Sequence, residues 1–450
     1  MAEPGSLTEQ LAAFVVAVEP TDLPPAVVDA AKYFLLDWLG SAMAGTNTPT
    51  GQMFLEHAAE QGAGPSTVIG LGGKWNAQAA ALANGALSHI VEMDDLHRAS
   101  VVHPGAAVIP AALATAEWQG ASGLGFLSAT VLGYEVAIRV GEAVGKSHYR
   151  FWHNTATCGV FGAAAAAGRL LNLQVEQMVW ALGNAGTMAA GLWEFNADGA
   201  MSKPLHAGRA AASGLLAADL ARRGVSGARR ILEGERGFFA ATSQDADPER
   251  VVAGLSPAMA DYKLSGVSIK PHAACRHTHP AIDAALQIRT QIGSAAGQID
   301  GVEVETYQAA LALTDNPAPT QAHAAKFSMQ YCVASALLRG SVGLGDFEAS
   351  AIADPQVRAL MERVRLRQSP VMEARYPAAW PVRVSVTLKD GRTLTESVDH
   401  PKGDPENPLS WDELEAKFGQ MLVGTPWEAK AAVLIEMVRS LDQARTVQLL

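Results

Sequence analysis

Charge is scarce in this chain: Asp, Glu, Lys and Arg make up 18% of its 450 residues, against 49% apolar residues. That share is low for a domain wholly surrounded by water. It predicts that much of the surface is covered by a partner, most simply a second copy in a homodimer. Cysteine is scarcer still. Cys158, Cys275 and Cys332 are odd in number and far apart, so no disulfide framework is expected and a reducing cytoplasm fits. Positive charge is also in deficit. The net charge of −11 argues against nucleic acid and against an anionic membrane surface as partners. Pro, Arg or Gly interrupts the apolar runs before the ~18 residues that a membrane span needs. The N-terminus, MAEPGSLTEQ, is acidic and polar, unlike a secretory leader. Both nucleotide-binding fingerprints, GxGxxG and GxxxxGK[ST], are missing, and the glycine-rich VIGLGGKW (68–75) reads as a turn. No GxSxG nucleophile elbow is present either.

What is there has the size of a soluble enzyme with two domains. From Leu7 to about Leu255 the apolar pattern is helical almost throughout, and alanine- and glycine-rich stretches such as FGAAAAAGRLLNL let helix axes approach closely. After Asp261 the texture changes. QIDGVEVETYQAAL alternates briefly, and PVRVSVTLKDGRTLTESVDH predicts a hairpin in which Val382, Val384, Val386 and Leu388 alternate up to a turn at Asp390-Gly391. The expected fold is mainly α: an all-helical domain over 1–265, completed by helices at 411–450, with an inserted α+β lid domain over 266–400. The proline-rich segment 401–410 reads as a linker.

Ionisable residues gather in four places. EMDDLHRASVVHPG (92–105) packs three acids, an arginine and two histidines between two nearly uncharged helical segments, where burial is costly unless the groups pair or do chemistry. A solvated loop is the bland alternative. MSKPLHAG places Lys203 before Pro204, at what reads as a helix entrance, where desolvation and helix dipole would lower its pKa toward use as a base. SHYRFWHNTATCG sets His148, Tyr149, Arg150 and His153 before a small-residue helix. KPHAACRHTHP collects Lys270, His272, Cys275, Arg276, His277 and His279. That last cluster could ligate zinc or iron, but Lys270 and Arg276 would repel a cation, so a cationic rim for a carboxylate is the favoured reading.

In order, MDD…HPG at 93–105, WHNTATCGVFGA at 152–163, MSKPLHAGRAA at 201–211, KPHAACRHTHPAIDA at 270–284 and AKFSMQY at 325–331 resemble the MmgE/PrpD family over essentially the whole chain. PKGDPENPLS at 401–410 is similar too. The family includes methylcitrate dehydratases, cis-aconitate decarboxylases and an iminodisuccinate epimerase. The resemblance implies a helical domain with an α+β lid, a homodimer, no metal or organic cofactor, and proton chemistry beside a carboxylate in a basic pocket between the domains. It carries Asp94, His103, His153, Lys203 and Lys270 onto family positions. Cys275 stands where the decarboxylase branch has a histidine, and Tyr149 resembles the epimerase branch.

The expected catalytic set is therefore Lys203, Tyr149, His153, Asp94 and His103. His97, Arg98, Lys270, Cys275 and Arg276 are expected at the substrate, a small di- or tricarboxylate. The expected reaction is that of a hydro-lyase of the methylcitrate dehydratase kind, with epimerisation as the runner-up. A non-catalytic carboxylate-binding dimer and a metal-dependent hydrolase are the remaining alternatives.

Overall fold

The alanine-rich segments fold as helices whose ends carry identifiable stops. In the computed structural model, which describes residues 5–198 and 200–449, the protein is mainly α-helical. Helix α1 (Leu7–Ala17) opens on a Ser6–Glu9 capping box, and α2 (Pro25–Gly45) starts on a proline whose missing N–H would have had no helical acceptor. Asn76 caps α3 (Ala77–Ile90) by accepting from the N–H groups of Gln78 and Ala79. Helix α4 (Pro104–Gln119) begins on Pro104 and ends at Gly120, which takes the left-handed conformation at φ +63°. Then come α5 (Gly123–Ala143), α6 (Gly159–Leu170), α7 (Val175–Thr187) and α8 (Ser202–Arg222).

The described chain divides into two units, one running up to Ser268 and resuming at Ser410, the other spanning Ile269–Leu409. In the first unit α8 packs against α3 with almost no side chain between them. A Cβ added at Gly208 would lie 2.2 Å from the Leu82 carbonyl oxygen, and one at Gly85 would lie 2.9 Å from Gly208 Cα. This near-contact of backbones fixes where the N-terminal turn of α8 meets the C-terminal end of α3. Helix α5 is long and apolar enough to cross a membrane, but it is 89% buried inside the unit and carries the buried ion pair Glu135–Arg139. It is a core helix. The unit is not wholly helical, since the two-residue strands β1 (Leu96–His97) and β2 (Val267–Ser268) pair antiparallel.

In the second unit β3 (Ile299–Thr306), β4 (Val364–Gln368), β5 (Val382–Leu388) and β6 (Thr393–Val398) form one sheet in the order β4-β3-β5-β6. Only the β3–β4 pair is parallel. Val382, Val384, Val386 and Leu388 are buried in alternation, as their spacing predicts, and Gly391 takes φ +88° in the turn. Helices α9 (His279–Ile292) and α10 (Met329–Arg339) lie with this sheet in the unit. The segment expected as a linker is instead tied into this unit up to Leu409. Ile269 N–H donates to the Gly403 carbonyl at 2.8 Å, and Lys402 N–H donates to Asp283 at 2.6 Å. Its prolines shape a packed loop and not a free tether.

The chain then returns to the first unit as α11 (Trp411–Leu422) and α12 (Ala431–Arg439). Helix α11 lies on α2 at Gly40, where an added Cβ would come within 2.4 Å of Met421 Cε, and its buried Lys417 pairs with Asp37.

Candidate active site

The loop between α3 and α4 holds the ionisable burst, and it is buried. Helix α3 stops because Glu92 takes φ +61°, and Val101 takes φ +51° nine residues on. A β-branched residue in the left-handed region is strained, and such strain persists only where the surroundings impose it. Several bonds impose it here. Lys417 Nζ donates to the Met93 carbonyl at 2.8 Å, Asn154 Nδ2 donates to the Ser100 carbonyl at 2.7 Å, and His103 N–H donates to Thr155 Oγ1 at 3.1 Å.

Asp94 is the centre of what the loop presents. Its Oδ2 accepts from His89 Nδ1 at 2.6 Å and lies 3.0 Å from His103 Nδ1. Burial works against its charge, but the two imidazoles outweigh burial and hold the carboxyl well below the usual carboxylate range. Asp95, next in sequence, faces differently. It accepts from Tyr134 Oη at 2.7 Å and from Gly105 N–H at 3.1 Å, anchoring the first turn of α4 just after His103. Burial, with the nearby charges of Asp94 and Asp37, pushes its carboxyl well above the ordinary range despite those two donors. Adjacent aspartates thus differ in kind: one is a stable anion between histidines, the other a buried strut.

The histidines continue inward. The His103 ring lies 4.9 Å from that of His89, which stacks on His153 at 5.6 Å, and His153 Nδ1 meets His206 Nδ1 at 3.2 Å. Burial first, then the charges of His89 and Lys203, push the His153 pKa well below the ordinary imidazole range; His206 is pushed down to about 4, mainly by burial. Both rings are therefore neutral near pH 7. Lys203 Nζ is paired with the Glu92 carboxylate. The pair exists because α8 and α3 touch at Gly208 and Gly85. Lys203 does not precede its helix as expected: α8 begins at Ser202, and Pro204 sits within the first turn, where N–H groups have no helical acceptor.

Of the remaining expected residues in this unit, Tyr149 is 37% exposed with its ring 5.1 Å from Trp193, which in turn lies 4.9 Å from His153. His97 departs from expectation. It bonds Ser100 Oγ at 2.9 Å, stands 3.9 Å from Glu142, and is pushed down to about 4 by burial, which makes it a neutral part of the loop's own scaffold. Arg98 is half-buried on the same loop. A separate cavity of about 420 Å³ lies at the Gly70–Gly73 turn beside Trp427 and Lys430, and no member of the histidine cluster lines it.

The second unit holds the other expected residues. Lys270 is fully buried and Cys275 is buried, its N–H donating to the Lys326 carbonyl at 2.9 Å. Arg276, expected at the substrate, is a structural clasp. Its guanidinium is buried, pairs with Asp404, reaches His279 Nδ1 at 2.9 Å and donates to the Lys402 carbonyl at 3.3 Å. The neighbouring histidines disperse: His272 goes to Asp283 at 2.9 Å and His277 to Tyr307 Oη at 2.7 Å. They do not converge as a ligand set for zinc or iron.

The sequence reading missed Glu92 as the partner of Lys203, and His89 altogether. His89 is a single histidine in an otherwise apolar helical run, and its one signal was its place five residues before Asp94.

Comparison with known proteins agrees with this layout. Residues 9–251 match the MmgE/PrpD N-terminal domain and residues 272–443 the MmgE/PrpD C-terminal domain. A cis-aconitate decarboxylase-like protein, oryM, of Aspergillus oryzae is 29% identical over 443 residues, covering 93% of this chain and 90% of the relative. The cis-aconitate decarboxylase of Homo sapiens is 29% identical over 466 residues, covering 97% and 92%. A 2-methylcitrate dehydratase of Cupriavidus necator is 29% identical over 199 residues, 41% of this chain and 40% of its own length. On both domains, this chain belongs to the MmgE/PrpD family.

Proposed function

We propose that the protein is a lyase that works by acid and base groups alone on a small carboxylate substrate, most simply a tricarboxylate of the aconitate or methylcitrate kind. One observation carries this reading: a buried Asp94 shared by two imidazoles beside the buried pair Lys203–Glu92. An aspartate accepting from Nδ1 of His103 fixes that ring's tautomer and leaves the lone pair on Nε2, the form a general base needs. Removing a proton α to a carboxylate builds enediolate-like charge. The Lys203 ammonium and the neutral His153, as a hydrogen-bond donor, stabilise that charge without adding a competing base.

For dehydration, the C–H electron pair forms the alkene, the β-hydroxyl leaves, and Lys203 delivers the proton that makes it water. Two separate proton carriers favour this hydro-lyase form, as does Cys275 at the position where the decarboxylase branch has a histidine. Loss of carbon dioxide, whose bonding pair would itself form the enediolate for an acid such as Lys203 to protonate at the α-carbon, is the second reading, favoured by the relatives that match over nearly the whole chain and are named cis-aconitate decarboxylases. A homodimer is part of the proposal. Exposed Phe151, Leu192, Met201 and Leu205 on the first unit support it.

The test is incubation with cis-aconitate, 2-methylcitrate, citrate and iminodisuccinate in deuterated water, followed by NMR. Appearance of an alkene from a hydroxy acid is the expected result, and itaconate from cis-aconitate would establish the second reading. Deuterium at the α-carbon with no alkene and no carbon dioxide would replace the lyase with an epimerase.

A further inference from the structure

His89, Asp94 and His103 bring three ligand atoms together. One ring nitrogen of each imidazole and one carboxylate oxygen lie within 4.8 Å of one another, in a buried part of the first unit. Two imidazole nitrogens with one carboxylate oxygen suit zinc, cobalt, nickel or copper, whereas magnesium and calcium require mostly oxygen. The surroundings do not oppose a cation. Asp94 supplies a carboxylate, and the nearby Lys203 ammonium is already paired with Glu92.

The spacing is close to what an ion would need. The two imidazoles stand 2.6 and 3.0 Å from the shared oxygen. Zinc bonds of about 2.0–2.1 Å in a tetrahedral shell hold ligand atoms about 3.3 Å apart, so a shift of less than an ångström at each hydrogen bond admits the ion. A fourth position is left for water or a substrate carboxylate.

We propose that this triad is a transition-metal site, and that an ion there replaces the protons which the two imidazoles direct at Asp94. Each imidazole then presents its Nδ1 lone pair to the metal and carries its proton on Nε2. No electrons are transferred. His89 Nε2 is buried with no hydrogen-bond partner among the described residues, so the outer bond that normally strengthens a metal-bound imidazole is lacking. The ion is accordingly a displaceable inhibitor and not a resident cofactor. The inhibition rests on the function proposed above; the binding does not.

The experiment takes chelator-stripped full-length protein and titrates it with Co²⁺, then Zn²⁺, with Mg²⁺ as control. One equivalent of Co²⁺ is expected to develop the visible absorption of four-coordinate cobalt, which Zn²⁺ erases and Mg²⁺ leaves untouched. His89→Ala should abolish the band. Since removing a buried histidine can unfold a protein, X-ray absorption on zinc-loaded wild-type protein gives an independent reading, with two imidazoles expected at about 2.0–2.1 Å. A purely aquo cobalt spectrum, or a zinc shell without two imidazoles, overturns the site. Unchanged turnover in metal-saturated protein overturns the inhibition. Protein that develops the band but processes no carboxylate keeps the site and removes the proposed function.

Discussion

The two units use the same kind of residue in opposite ways. In the first, four histidines run ring to ring from His103 through His89 and His153 to His206, and two of them compete for one oxygen of Asp94. In the second, histidines and arginine go to separate partners: His272 to Asp283, His277 to Tyr307 and the Trp380 face at 4.3 Å, Arg276 to Asp404 and the Lys402 carbonyl. Separate acceptors make a rigid, finished structure. Convergence on a shared acceptor leaves the proton with more than one place to go, which is what acid and base chemistry requires. Burial alone does not separate the cases, since both clusters are buried. What separates them is whether two imidazoles share one acceptor oxygen.

That contrast can be broken by mutation. The largest effect is expected from Lys203→Met, which should lower turnover by about 10²–10⁴-fold, the range for loss of a positioned acid or base, while circular dichroism shows an intact fold. Near-normal rates would move the chemistry away from the converging cluster. Next comes Arg276→Met in the second unit. It deprives Asp404 of its buried cation and should cost about 3–5 kcal/mol in chemical denaturation. A variant as stable as the parent would mean that these separate pairs are not what makes that unit rigid.

Gly208→Ala tests how the first cluster is assembled. The added methyl meets the Leu82 carbonyl, so a loss of about 1–3 kcal/mol is expected in thermal unfolding, and turnover should fall with it as Lys203 is pushed from Glu92. Retained activity in a destabilised protein would detach the lysine's placement from the glycine contact. The smallest effect is expected from Val101→Gly. Relief of left-handed strain offsets the lost side chain and should leave stability within about 1 kcal/mol of the parent. A larger loss would show that the Val101 side chain, and not the backbone around it, holds the loop.

Much of this could be read before any coordinates. Periodicity located the first hairpin strand at 382–388 and its turn at Asp390-Gly391, because buried positions alternate there with less buried ones. The burst at 92–105 marked the site because charge between uncharged helices demands a reason. Partnership was not legible. Glu92 and Lys203 are 111 positions apart, and the close packing of α3 on α8 brings them together. His89 was hidden by its apolar neighbours, and the partner of Arg276, Asp404, lies 128 residues on, in a stretch whose prolines imitate a linker. Pro204 misled about the start of α8, since a first helical turn tolerates a residue without an N–H. Local pattern reveals elements and concentrations of charge; it does not reveal which distant group answers which.

Lys417 carries a consequence of another kind. Its ammonium on α11 holds the Met93 carbonyl, one residue before Asp94, yet it is separated from that carbonyl by 324 positions of chain. A ribosome delivers the loop early and its fastening late, with the whole of the second unit synthesised in between. The nascent first unit can collapse around its alanine helices, and Lys203, Asn154 and Thr155 can engage the loop, but the bond to the Met93 carbonyl is missing until residue 417 has emerged. The last fastening of this loop is thus timed by topology, and it is made only when the chain has gone out and come back.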